Sequence, residues 1–157
     1  HSMRKDSFLY TFKNILFVST LLVMALFILP GYTSSDQNND LTIVITNIKK
    51  ACGTIQIGIY NKKENFPKIG KEFRKLSVKV EGKEFKYTVK DLPPGNYAIA
   101  LYHDYNSDGT CNTNLIGVPT ESYGFSNNIK PFLSAPSFQD TKFSHLKKSA
   151  VYITLFH

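Results

Sequence analysis

Leu41-Thr42-Ile43-Val44-Ile45-Thr46 and Ile55-Gln56-Ile57-Gly58-Ile59 place an apolar side chain at every second position. That interval belongs to the β-strand, whose successive side chains point to opposite faces of a sheet. The repeated residues are mostly β-branched, which suits a half-buried pleated surface. Val44 leaves the second face of the first run partly apolar. Lys49-Lys50-Ala51-Cys52-Gly53 lies between the runs and supplies a turn, so the two together read as a hairpin.

The alternation recurs downstream. Lys62 to Lys75 is polar and irregular, with Phe66-Pro67 and Gly70, and reads as a loop. Val78 and Val80 make a short strand, Glu81-Gly82-Lys83 turns it, and Phe85, Tyr87 and Val89 form the return. Asp91-Leu92-Pro93-Pro94-Gly95-Asn96 is a rigid turn, because proline fixes φ and glycine tolerates positive φ. Tyr97, Ile99 and Leu101 follow, with small Ala98 and Ala100 on the other face. Lys142–Leu146 and Ala150–Phe156 read as a final hairpin that turns Val151, Ile153 and Leu155 inward. The expected fold is all-β: a seven-stranded antiparallel immunoglobulin-like sandwich over residues 41–157, with an open barrel as the structural alternative. The connection from His103 to about Asp140 is far longer than the others, and such loops in compact domains usually carry function. Its three Pro, three Gly and several aromatics predict an ordered loop.

The chain has 157 residues, of which about 35 at the N-terminus read as a targeting segment, leaving room for one core and not two. With 42% apolar and 20% charged residues the rest is expected to be globular, and a multidomain enzyme, a polytopic membrane protein and a helical repeat array are excluded. His1-Ser2 before Met3 reads as an expression scar. Arg4, Lys5 and Lys13 then precede an apolar run from Ile15 to Leu29, broken by Pro30-Gly31 and followed by Thr33, Ser34 and Ser35. That run falls short of the roughly 20 residues of a membrane-spanning helix. Residues 1–35 are therefore expected to be scar plus signal peptide and 36–40 a short linker, directing the protein to the periplasm or the exterior. Membrane association is expected only if the segment stays uncleaved. The formal charge is +7, but only Arg4 and Arg74 are arginines, and the lysines fall as scattered pairs. Nucleic acid, which favours Arg's planar fork, is not an expected partner.

Within the long loop, Asp104-Tyr105-Asn106-Ser107-Asp108-Gly109 has the spacing that opens a calcium loop of the EF-hand type, where alternate positions aim oxygens at one centre. Asp104, Asn106 and Asp108 would fill positions 1, 3 and 5. Thr110 would offer its carbonyl and Asn112 a side-chain oxygen or a water. Position 12 is Leu115 rather than a bidentate Glu, and Glu121 is the candidate replacement from the next turn. The expected cofactor is a weakly held Ca2+, on the order of 10⁻⁴–10⁻³ M. The competing reading is a run of Asx-turns with no metal. Cys52 and Cys111, the only cysteines, fall at one pole of an up-and-down trace, so a disulfide in an oxidising compartment is one reading and two free thiols the other. Closing a loop of about 60 residues would stabilise the fold by roughly 4 kcal/mol.

Three stretches carry a family resemblance: Leu92-Pro93-Pro94-Gly95-Asn96-Tyr97-Ala98-Ile99-Ala100, His103-Asp104-x-Asn106-x-Asp108-Gly109, and Asn114-x-x-Gly117-x-Pro119-x-Glu121-x-Tyr123-Gly124-Phe125-Ser126-Asn127-Asn128. The sequence resembles the bacterial exported family known as domain of unknown function number 2141, from about Leu41 to Phe156. The Leu-Pro-Pro-Gly-x-Tyr turn is also similar to that of transthyretin-like and carboxypeptidase-regulatory-like sandwiches. The resemblance implies this fold and export, and no established activity. The family pattern commonly has Asp where this chain has Asn112, which implies a weaker metal site here.

Catalysis would have to draw on His103, Asp104, Asp108, Glu121, Tyr123 and Ser126, all in one loop. Gly124-Phe125-Ser126-Asn127 is not a nucleophile elbow, and neighbouring His103 and Asp104 point apart on a strand. A hydrolase built on the His103–Glu121 loop is thus one alternative, and a structural or assembly role in the cell envelope is another. The expectation is a non-catalytic binding module. Tyr123, Phe125, Asn127 and Asn128 would present rings and amides to an extracellular or envelope sugar or peptide, unless those aromatics close under the loop as a small core of their own.

Overall fold

The computed structural model describes residues 38–157; the expected signal peptide and the start of the expected linker lie outside them. The described residues form eight strands: β1 (Leu41–Thr46), β2 (Thr54–Tyr60), β3 (Arg74–Lys79), β4 (Phe85–Val89), β5 (Gly95–Asp104), β6 (Tyr123–Phe125), β7 (Phe143–His145) and β8 (Ser149–Thr154). A single helical turn, α1 (Phe138–Thr141), precedes β7, with the Ser137 hydroxyl accepting from the Asp140 N–H as its N-cap.

The strands form two sheets, ordered β4-β1-β8 and β3-β2-β5-β6, with β7 pairing beside the start of β5. Alternation decides what lies between them. Leu41, Ile43 and Ile45 of β1, with Val151 and Ile153 of β8, meet Ile55, Ile57 and Ile59 of β2 and Tyr97, Ile99 and Leu101 of β5 in one buried cluster. Each such aliphatic side chain stabilises the fold by roughly 1.5–3 kcal/mol relative to exposure. The alternation quoted from the sequence is therefore the core.

Four expectations are corrected. There are eight strands among the described residues rather than seven, because β6 lies inside the long loop. The sheets are not wholly antiparallel, since β1 pairs with β8 in parallel from Leu41↔Ser149 to Thr46↔Thr154. The third strand starts at Arg74, and Val80, expected within it, is buried just beyond its end. None of the pairings expected across turns forms: β1 and β2 belong to different sheets, as do β3 and β4, while β7 pairs with β5 and β8 with β1. The turn residues reverse the chain, but each strand also needs a second sheet over its apolar face, so the chain crosses over instead of pairing with its neighbour.

The outer face of the second sheet is not left to solvent. Gly58, Ala98 and Ala100 keep it flat, and Tyr60, Phe66, Phe125 and Phe138 pack there as a smaller cluster. Phe66 sits edge-on to Tyr60, Phe125 and Phe138 at centroid distances of 5.2, 6.2 and 6.1 Å. The loop after β2 and the long loop after β5 meet over this face.

Candidate binding cavity and the acidic loop

Asp104 closes β5 and is fully buried. Its carboxylate accepts the N–H of Asp108 at 3.1 Å and that of Gly109 at 2.9 Å. Asp108 accepts the hydroxyl of Thr110 at 2.6 Å and its N–H at 2.8 Å, and the side-chain amides of Asn106 at 2.8 Å and Asn112 at 3.3 Å. These donors, the Thr110 hydroxyl first, pull the Asp108 carboxyl down to about 2. Glu121, also buried, bridges the loop: one oxygen accepts the Tyr105 N–H and the other the Asn112 N–H, both at 3.1 Å. Asp104, Asn106, Asp108, Thr110, Asn112 and Glu121 thus share one hydrogen-bonded network, in which the carboxylates are turned largely onto the loop's own donors. Among the described residues no three His, Cys, Asp or Glu side chains gather closely enough to hold a metal ion.

His103 is fully buried, with Nε2 2.7 Å from the Cys52 carbonyl and its ring against Tyr105 at 4.3 Å. Its Nδ1 is buried without a partner. Cys52 and Cys111 are free thiols in this structure, the second of the two readings. Cys52 is exposed in the turn that caps His103, whereas Cys111 is half-buried on the wall of the cavity described below. Burial first, and then the charge of Glu121, pushes the Cys111 thiol up to about 11.

The run after β6 holds elements together. The Ser126 hydroxyl accepts the Ile99 N–H at 2.9 Å and donates to the Thr141 carbonyl at 2.6 Å, so it splints β5 to α1. Asn127 donates its amide to the carbonyls of Asp140 and Lys142, both at 3.0 Å. Asn128 copies a strand against β8, accepting the Thr154 N–H at 2.7 Å and donating to the Tyr152 carbonyl at 3.3 Å. Both asparagines adopt positive φ, which their short side chains tolerate. The amides expected to face a ligand are therefore engaged with the protein's own backbone. Phe125 is buried and Tyr123 half-buried.

Those two rings instead help to wall a cavity of about 410 Å3 on the outer face of the second sheet. Three segments meet there: Pro67 and Ile69 from the loop after β2, Cys111 and Gly117–Pro119 from the long loop, and Pro131 with Leu133–Ala135 from the segment before α1. Leu101, Tyr102, Tyr123 and Phe125 lie beneath them. The Tyr102 hydroxyl donates to the Gly109 carbonyl at 3.0 Å, which ties the floor to the acidic loop. Burial, with the Asp104 carboxylate next, pushes that phenol up to about 12, so it stays neutral. Around the cavity stand apolar residues that the fold leaves bare: Ile69 is 63% exposed, Leu133 96%, and neighbouring Leu115, Ile116 and Phe132 more than 80%. Clustered exposed apolar surface marks interaction sites in soluble domains. Sequence reasoning missed this cavity. The available signal was Leu115-Ile116 and Phe132-Leu133, two apolar pairs in a loop otherwise rich in Gly, Pro and Asn.

The family described as "Uncharacterized protein conserved in bacteria (DUF2141)" matches residues 43–153, which takes in all eight strands but the first two residues of β1 and the last of β8. No curated protein and no solved structure matches the chain.

Proposed function

The chain belongs to this bacterial family of uncharacterised proteins, and from the geometry of its site we propose that it is an exported, non-catalytic binding module on an immunoglobulin-like or transthyretin-like sandwich. The observation that carries the reading is the cavity of about 410 Å3 ringed by exposed apolar side chains. Ligand pockets of small molecules have this size and an apolar lining. Of the expected ligands, a sugar is the poorer fit, because the Asn127 and Asn128 amides are largely engaged with backbone groups and the cavity lining is mostly apolar. A ligand that offers an apolar group fits the lining. His103 supports no hydrolase, since its Nε2 meets the Cys52 carbonyl within a fully buried setting. The test is binding of a neutral environment-sensitive fluorophore, N-phenyl-1-naphthylamine, to the full chain. Saturable binding that Ala135→Trp or Leu133→Asp weakens by about tenfold or more is expected. Binding indifferent to both substitutions would move the site elsewhere.

Calcium ordering of the acidic loop is the second part of the proposal. Its support is that Glu121 reaches the same loop as Asp104 and Asp108, supplying a carboxylate where position 12 lacks one. The loop must then exchange some of its internal hydrogen bonds for metal contacts, which agrees with weak affinity. Ligand linkage predicts a Tm that rises with millimolar calcium and not with magnesium. A flat Tm would reduce the stretch to Asx-turn chemistry. Because the loop that carries Asp104 and Glu121 also carries Cys111 and Gly117–Pro119, calcium would stiffen one wall of the cavity.

A further inference from the structure

We propose that the cavity takes the hydrocarbon tail of a free single-chain anionic amphiphile, whose head group rests against lysines at the mouth. This deepens the cavity reading and rests on it. Three observations carry it. The lining is mostly carbon, from Pro67, Val118, Phe125, Pro131, Leu133 and Ala135 among others, and no Asp, Glu, Lys or Arg lies in it. A charge taken inside would lose water without gaining a counter-charge, whereas an alkyl chain loses nothing. A long tail that overruns the cavity would still meet apolar surface, because Ile69, Leu115, Ile116 and Phe132 are exposed beside it.

The third observation is charge. Lys68 stands between the lining residues Pro67 and Ile69, and Lys130 directly precedes the lining residue Pro131. Both are exposed, and neither forms an ion pair among the described residues, where Lys90–Asp40 is the salt bridge found. Two cations without an ion pair among the described residues, one on the loop after β2 and one on the segment before α1, beside an uncharged cavity, complement a carboxylate, sulfate or phosphate head. Such a head keeps its water and gains attraction at the surface, which salt screens.

The experiment displaces N-phenyl-1-naphthylamine from the full chain with C12 compounds below their micelle concentrations: dodecanoate and dodecyl sulfate, neutral dodecanol, and cationic dodecyltrimethylammonium. The anions should displace the probe at about tenfold lower concentration than the alcohol, and the cation should be weakest. The preference should shrink in high salt and vanish in Lys68→Glu/Lys130→Glu, with displacement by dodecanol unchanged. Equal potency of anion and alcohol, or loss of dodecanol displacement in that variant, would overturn the head-group assignment while leaving the cavity reading intact. Displacement by apolar peptides but by no C12 compound, or binding only to anionic vesicles, would overturn the amphiphile. If the probe fails to bind at all, or binds equally in Ala135→Trp and in Leu133→Asp, both readings fall together.

Discussion

Asp108 is an exposed carboxylate whose titration is set by its own turn. The Thr110 hydroxyl and N–H and the amides of Asn106 and Asn112 stabilise its ionised form, so the folded value falls from 3.8 to about 2. A carboxyl depressed on folding adds stability above its unfolded value and loses it as pH falls towards the folded one. Between about pH 4 and pH 2 the native chain should therefore lose stability that Asp108→Asn does not lose. Tm measured across that window checks it, and parallel acid limbs for the two proteins would contradict it. At this scale the sequence was informative about spacing and blind to orientation. Asp104, Asn106, Asp108 and Glu121 were legible as one group, and they do share a network. Asn127 and Asn128 read as ligand amides because an amide's partner cannot be seen in sequence. Their partners are carbonyls and an N–H of α1, β8 and the residue after α1, distant in the chain.

The least legible element is β6. Three residues with a glycine at the centre, inside a long loop, give no alternation to detect. The pairing explains the glycine: Gly124 stands opposite Leu101 on the inward side, and a Cβ there would lie 2.7 Å from the Ile153 side chain and 3.4 Å from that of Leu101. The neighbours Tyr123 and Phe125 point the other way, towards the cavity. Gly124→Ala should cost about 1–3 kcal/mol through overpacking against Ile153, read by denaturant unfolding. Combined with Ile153→Ala, which removes the Cγ2 methyl it meets, the loss should be clearly less than additive, and full additivity would place the strain elsewhere. Long strands were legible because alternation is local, as in β1, β2, β5 and β8. Which sheet each strand joins was not. The parallel pairing of β1 with β8 links the two ends of the domain, and Lys49–Gly53 or Lys147–Ser149 looks the same whether it closes a hairpin or crosses between sheets.

At the scale of the molecule, the two faces of the second sheet do different work. The inner face of β2 and β5 builds the core shared with the first sheet. The outer face, kept flat by Gly58, Ala98 and Ala100, carries the aromatic cluster and the cavity that three loops close over. A cavity of this kind is a property of segments far apart in sequence, which is why composition and motif suggested a loop with a function but not its form. Cys111 gives direct access to the central claim, since it lies on the cavity wall while Cys52 lies in the exposed turn of β1 and β2. The measurement is the alkylation rate of each thiol in the reduced full chain, by peptide mass mapping, without and with saturating N-phenyl-1-naphthylamine. If the cavity is the binding site, ligand slows Cys111 several-fold and leaves Cys52 unchanged. Equal rates at Cys111 with and without bound ligand would contradict it.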